Sequence, residues 1–131
     1  MGYRSAVTLA FYTRHQEAVP FAALKLWFDE NYPHKEATTE WEAKIETGGY
    51  NEMPEDWIMV RYEDVKWYDG YTHVVEVNKA IESFVSTFEA NDTDNVAYEY
   101  VRIGEETEDI EEDRSDYCDY RLGVSREICF D

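Results

Sequence analysis

The sequence predicts an α+β domain, an antiparallel sheet with two helices on one face and a further strand or hairpin at its C-terminal end. Three observations carry that expectation. Ile58, Val60 and Tyr62 alternate with Met59, Arg61 and Glu63 as a strand does; Val74, Val77, Ile81, Phe84, Val85 and Phe88 recur at helical spacing; and residues 96–103 return to alternation. A helix that joins two strands must bury its apolar stripe somewhere, and the sheet those strands form is the nearest place. The first third of the chain repeats the unit.

In order, Val7, Leu9 and Phe11 alternate with Thr8, Ala10 and Tyr12, which predicts a strand over residues 5–13. Pro20 suits the first turn of a helix, and Phe21, Leu24, Trp27 and Phe28 form its stripe until Pro33 forbids continuation, so a helix is expected over 17–31. Trp41, Ala43 and Ile45 then alternate with Glu40, Glu42, Lys44 and Glu46 as a half-buried strand, and Thr47 to Asp56, with Gly48, Gly49 and Pro54, reads as a hairpin loop. After the strand that starts at Trp57, Asp69-Gly70 marks a turn and Thr72 is the expected N-cap of a second helix over 72–89. Asn91-Asp92-Thr93-Asp94-Asn95 closes that helix with turn formers. Strand, helix, strand, strand, helix, strand is the βαββαβ order of the ferredoxin-like fold. Beyond Gly104, residues 106–113 are expected as an edge strand and 120–130, with Leu122, Val124, Ile128 and Phe130, as a further strand.

Composition bounds the rest. The chain has 131 residues, 44% hydrophobic and 16% aromatic, enough for one core and too little for two ordinary domains, so residues 1–131 are read as a single acidic domain. Twelve Lys and Arg face 30 Asp and Glu, a formal net charge of -18. Four Trp, eleven Tyr and six Phe argue for a packed fold in spite of that charge. The field it creates repels nucleic acid and the anionic membrane leaflet, so charged partners are expected to be basic. Met1-Gly2-Tyr3-Arg4-Ser5 has no signal-peptide character and no apolar run spans a membrane, so a soluble cytoplasmic protein is expected. Cys118 and Cys129 could meet across neighbouring strands, although a reducing cytosol works against a disulfide there.

Leu24-Lys25-Leu26-Trp27-Phe28-Asp29-Glu30-Asn31 and Tyr62-Glu63-Asp64-Val65-Lys66-Trp67-Tyr68, with the opening five residues, resemble segments of small uncharacterised phage proteins. That likeness brings no activity and no catalytic motif. In size and acidity the chain also resembles the anti-restriction and anti-CRISPR proteins that imitate DNA, which implies a host nucleic-acid-binding defence protein as partner.

Catalytic and metal motifs find little support. Asp92-Thr93-Asp94-Asn95 starts like a calcium loop, but Val96, Ala97 and Ile103 stand where the ligand of the fifth position, the glycine of the sixth and the glutamate of the twelfth belong. His15, His34 and His73 lack zinc-ligand spacing, and no P-loop or Gly-x-Ser-x-Gly occurs. Asp116 and Asp119 beside Cys118 disfavour a thiolate. No catalytic residue, cofactor or metal is therefore assigned.

The sharpest feature is the acidic run Glu105, Glu106, Glu108, Asp109, Glu111, Glu112 and Asp113, continued by Asp116 and Asp119. In an extended chain, alternate carboxylates lie about 6.6 Å apart at a rise of about 3.3 Å per residue. Phosphates advance about 3.4 Å per nucleotide along a duplex axis, a compatible pitch. The competing reading is a solvated edge, since edge strands carry charge to prevent aggregation and long like-charge runs are commonly loops. The functional expectation is an inhibitor encoded by a phage or mobile element that mimics DNA charge. Glu105 to Asp113, helped by Asp92 and Asp94, would meet a basic cleft in the host cytoplasm, with Trp67 and Tyr68 as aromatic anchors. No direct nucleic acid and no membrane contact is expected, and monomer and homodimer both stay open. Two other readings stand beside it, an acidic structural or interaction domain without DNA mimicry and a small enzyme using an unrecognised carboxylate pair.

Overall fold

A computed structural model describes residues 4–33, 43–49, 55–68, 70–106, 108–124 and 128–130. The elements are β1 (Ser5–Thr13), α1 (Phe21–Asn31), β2 (Ala43–Gly48), β3 (Trp57–Val65), α2 (Thr72–Phe88), β4 (Val96–Gly104), β5 (Ile110–Arg114), β6 (Leu122–Val124) and β7 (Ile128–Phe130). The first five strands form one antiparallel sheet in the order β2-β3-β1-β4-β5, and β6 and β7 pair as a separate two-stranded ribbon. No helix among the described residues is long and apolar enough to cross a membrane.

Both helices cover one face. Val7, Leu9 and Phe11 of β1, Ile58, Val60 and Tyr62 of β3, and Val96, Tyr98 and Tyr100 of β4 share a core with Leu24, Trp27 and Phe28 of α1 and Val74, Val77, Ile81 and Phe84 of α2. The period-two alternation of each strand puts these side chains on one side of the sheet, and the 3.6-residue period of each helix turns its stripe toward them. The phenyl ring of Phe11 lies 5.1 Å from both Trp27 and Phe84. Tyr32 and Tyr62 share a buried hydroxyl contact of 2.8 Å, and burial raises the pKa of Tyr62 to about 12.

The opposite face has its own smaller core of Ala10, Tyr12, Ala97, Val101 and Leu122, with Trp57, Ile103 and Cys118 packed against it. The segment after β5 crosses this face and closes it.

Several boundaries differ from the sequence expectation. The first helix begins at Phe21 with Pro20 as an extended N-cap residue, because residues 16–19 turn and the Gln16 side chain accepts from the Phe21 N–H. The second strand runs to Gly48 instead of ending in the loop; Trp57 sits opposite Gly48, and a Cβ there would meet its ring at 2.5 Å. Residues 40–42 and 50–54 of that expected strand and loop lie outside the described residues. Thr72 opens the helix rather than capping it, and Tyr71 stands at the N-cap without a side-chain hydrogen bond. The edge strand starts at Ile110, because just before it the Asp109 N–H donates back to the Glu106 carbonyl at 3.0 Å; residue 107 of the expected strand lies outside the described residues. The single expected strand over 120–130 is two short strands, and residues 125–127 lie outside the described residues.

Candidate partner-binding surface

Glu and Asp are poor strand formers, yet Ile110–Arg114 is a strand because β4 supplies a ladder and two arginines supply counter-charge. The Gly104 N–H donates to the Asp109 carbonyl at 2.8 Å and the Ser115 N–H to the Tyr98 carbonyl at 3.0 Å. Alternation between those two anchors points the backbone groups of Glu111 and Asp113 at β4, and those of Ile110, Glu112 and Arg114 outward. No strand among the described residues lies outside β5.

Side chains alternate as well. Glu111 and Asp113 lie on the helix-covered face, where Glu111 accepts from the Tyr100 hydroxyl at 2.8 Å and Asp113 from the Tyr98 hydroxyl at 3.1 Å. Burial and these carboxylates raise the pKa of both tyrosines. Glu112 points to the other face and meets Arg114 at 2.5 Å. Arg102 grips Asp109 through two bonds of 2.8 and 3.2 Å and lies 3.8 Å from Glu111; the Asp109 hydrogen bond leads in raising its pKa. Glu105, Glu106 and Glu108 are exposed on the turn, where Glu105 accepts from the Arg4 N–H at 2.8 Å. The acidic run is therefore an ordered edge whose charge is partly countered from within.

The other expected contact residues are placed apart. Asp92 and Asp94 are exposed in the loop before β4, and Asp94 pairs with His15 at 3.3 Å and Arg14 at 3.9 Å. They lie at the opposite end of β4 from Glu105, roughly 30 Å away for nine residues at a strand's rise. Trp67 is 6% exposed and packs between Tyr62 and Tyr100, at 5.5 and 6.3 Å, so it is a core residue and presents no surface anchor. Tyr68 is half-buried edge-on to Tyr71. The large exposed aromatics are Tyr71, Tyr117 and Tyr120 among the described residues.

Glu99 was not singled out from the sequence, yet it centres the sheet's second face. It is 0% exposed and stands across the ladder from Ala10, whose small side chain leaves room, and from Arg114. Its carboxylate accepts from the Tyr12 hydroxyl at 2.6 Å, Arg114 Nε at 3.0 Å, and the Arg121 and Leu122 N–H groups at 2.8 and 3.1 Å. A buried charge needs this degree of pairing. Arg121 in turn lies 4.2 Å over the Tyr12 ring and 3.3 Å from Asp56. The readable signal is a glutamate in register with Ala97 and Val101 on an apolar strand face. Cys118 beside this network carries a free thiol, and burial raises its pKa. The Cys129 side chain lies outside the described residues.

Between α2 and the β5 edge runs a groove of about 500 Å³, with Ile81 and Val85 as its apolar wall and Asn78, Glu82, Ser86, Tyr98 and Asp113 as its polar lining. No local pattern joins Glu82 to Asp113, because only the fold brings α2 beside β5. Among the described residues no group of three or more His, Cys, Asp or Glu could hold a metal ion. No protein-family model, curated protein or solved structure matches the chain.

Proposed function

We propose that this protein is an inhibitor of the DNA-mimic type, encoded by a phage or mobile element, which occupies the cationic cleft of a host nucleic-acid-binding defence protein of the restriction or CRISPR kind. The strand order supports reading the scaffold as ferredoxin-like, with β5 added at one edge. One observation carries the functional reading. Exposed carboxylates at Glu105, Glu106, Glu108, Glu111, Glu112 and Asp113 project from a sheet edge and its turn, in a chain of net charge -18. Carboxylates on hydrogen-bonded backbone keep their spacing when a partner approaches, so little ordering entropy is lost on binding. The summed field also speeds capture of a basic partner at low salt.

The test is competition. A captured basic protein should release a labelled DNA duplex when this protein is added. A variant with those six residues changed to Asn or Gln should compete at least about tenfold less well, a difference of about 1.4 kcal/mol. Equal competition by the neutralised variant removes the reading.

The internal pairing by Arg102 and Arg114, together with exposed Tyr117 and Tyr120, favours a second reading. In it the protein is an acidic interaction domain whose partner does not bind DNA, and duplex DNA would then fail to compete.

A further inference from the structure

We infer that the outer edge of β5 is a docking rail for an extended, Lys- or Arg-bearing segment of the partner, which adds to the sheet as a sixth strand. The inference rests on the inhibitor reading and names how the partner is held. Two features beyond charge point to it. The carbonyl of Ile110 and the N–H and carbonyl groups of Glu112 and Arg114 point away from β4, and no strand among the described residues meets them; the Ile110 N–H instead donates to the Glu108 carbonyl at 3.0 Å and closes the turn. Beside them, on the helix-covered face, lies the groove with Glu82 and Asp113 on its lining and Ile81 and Val85 along its wall. A strand laid on β5 places every second side chain over that groove. A lysine or arginine suits it, because its aliphatic stem can lie on Ile81 and Val85 while its cation meets Glu82 and Asp113.

Charge selects the occupant. A second copy of β5 would set Glu111, Glu112 and Asp113 against like charges, which is destabilising, and charged edges prevent self-pairing in this way. A cationic strand reverses the sign of every such cross-strand term. The same side chains thus reject another copy and accept a basic segment.

Two fluorescent peptides of equal charge test this, one alternating Lys and Val and one alternating Lys and Pro, titrated with the full chain at about 0.15 M ionic strength, where exposed charges are screened beyond about 8 Å. Proline cannot donate to a ladder. Strand addition predicts that the Lys-Val peptide binds at least about tenfold more tightly, or about 1.4 kcal/mol. Two variants locate the contact. Glu112→Gln removes a charge and keeps the outward N–H; Glu112→Pro removes both at an edge position that bonds to nothing in β4. Lys-Val binding should fall much further in Glu112→Pro than in Glu112→Gln, while Lys-Pro binding falls equally in both. Equal affinity of the two peptides for the unaltered chain, or binding of neither, overturns the inference whether or not Glu112→Pro folds. The inhibitor reading fails separately, if the neutralised variant still displaces DNA.

Discussion

The Tyr12 hydroxyl donates to Glu99 at 2.6 Å and accepts from the Asp119 N–H, also at 2.6 Å. One phenol thereby joins the first strand of the sheet, a buried carboxylate and the segment that closes the second face. Burial and the Glu99 hydrogen bond raise its pKa, so it stays a donor across ordinary pH.

Tyr12→Phe keeps the ring under Arg121 and removes only the hydroxyl. It leaves a buried carboxylate short of one donor and an amide short of its acceptor, so a loss of about 1–3 kcal/mol is expected. Urea unfolding followed by tryptophan fluorescence measures it, and an unchanged midpoint would contradict this account.

Arg114 and Glu99 form the ion pair within that network, at 3.0 Å. Burial opposes the arginine's charge, but hydrogen bonds to Glu112 and Glu99 outweigh it and raise the pKa. Arg114→Met should cost about 3–5 kcal/mol, because an uncompensated buried charge remains. The double variant Arg114→Met, Glu99→Met should recover much of that, and the cycle of unfolding free energies reports the coupling.

Alkali should unfold the protein through its tyrosines. Burial raises Tyr62 to about 12 and also raises Tyr12, Tyr32, Tyr98 and Tyr100 above the ordinary value. The unfolded chain then loses these protons near pH 10 while the folded chain keeps them. Their contribution is full below pH 10 and is lost as pH rises through the folded values, at up to about 1.4 kcal/mol per pH unit for each tyrosine. Tyrosinate absorbance from the buried group should appear together with the loss of far-ultraviolet ellipticity, and not before it.

Trp67→Ala should cost about 3–5 kcal/mol in stability, as large-to-small changes of buried Trp do. A chemical-denaturation midpoint unchanged by this substitution would return Trp67 to the surface.

The core was legible in the sequence and the polar architecture was not. Val7, Leu9 and Phe11 and the stripe from Val74 to Phe84 announced their faces, because one period applies along a whole element. β5 was harder to place: its residues favour solvent, and it takes Arg102 of β4, opposite Glu111, and Arg114 of β5 itself, opposite Glu99, to make a strand of them. Trp67 misled because an aromatic beside a turn is equally suited to a core or a contact surface. Glu99, Arg121 and the Glu82–Asp113 groove depend on contacts between distant parts of the chain, which no local pattern encodes.

The amides of Asp119, Arg121 and Leu122 donate to the Tyr12 hydroxyl and the Glu99 carboxylate. Their protons are thus withheld from solvent by side chains rooted in β1 and β4. This irregular stretch therefore should exchange deuterium at the tempo of the central strands rather than that of a loop, because releasing it means opening the middle of the molecule.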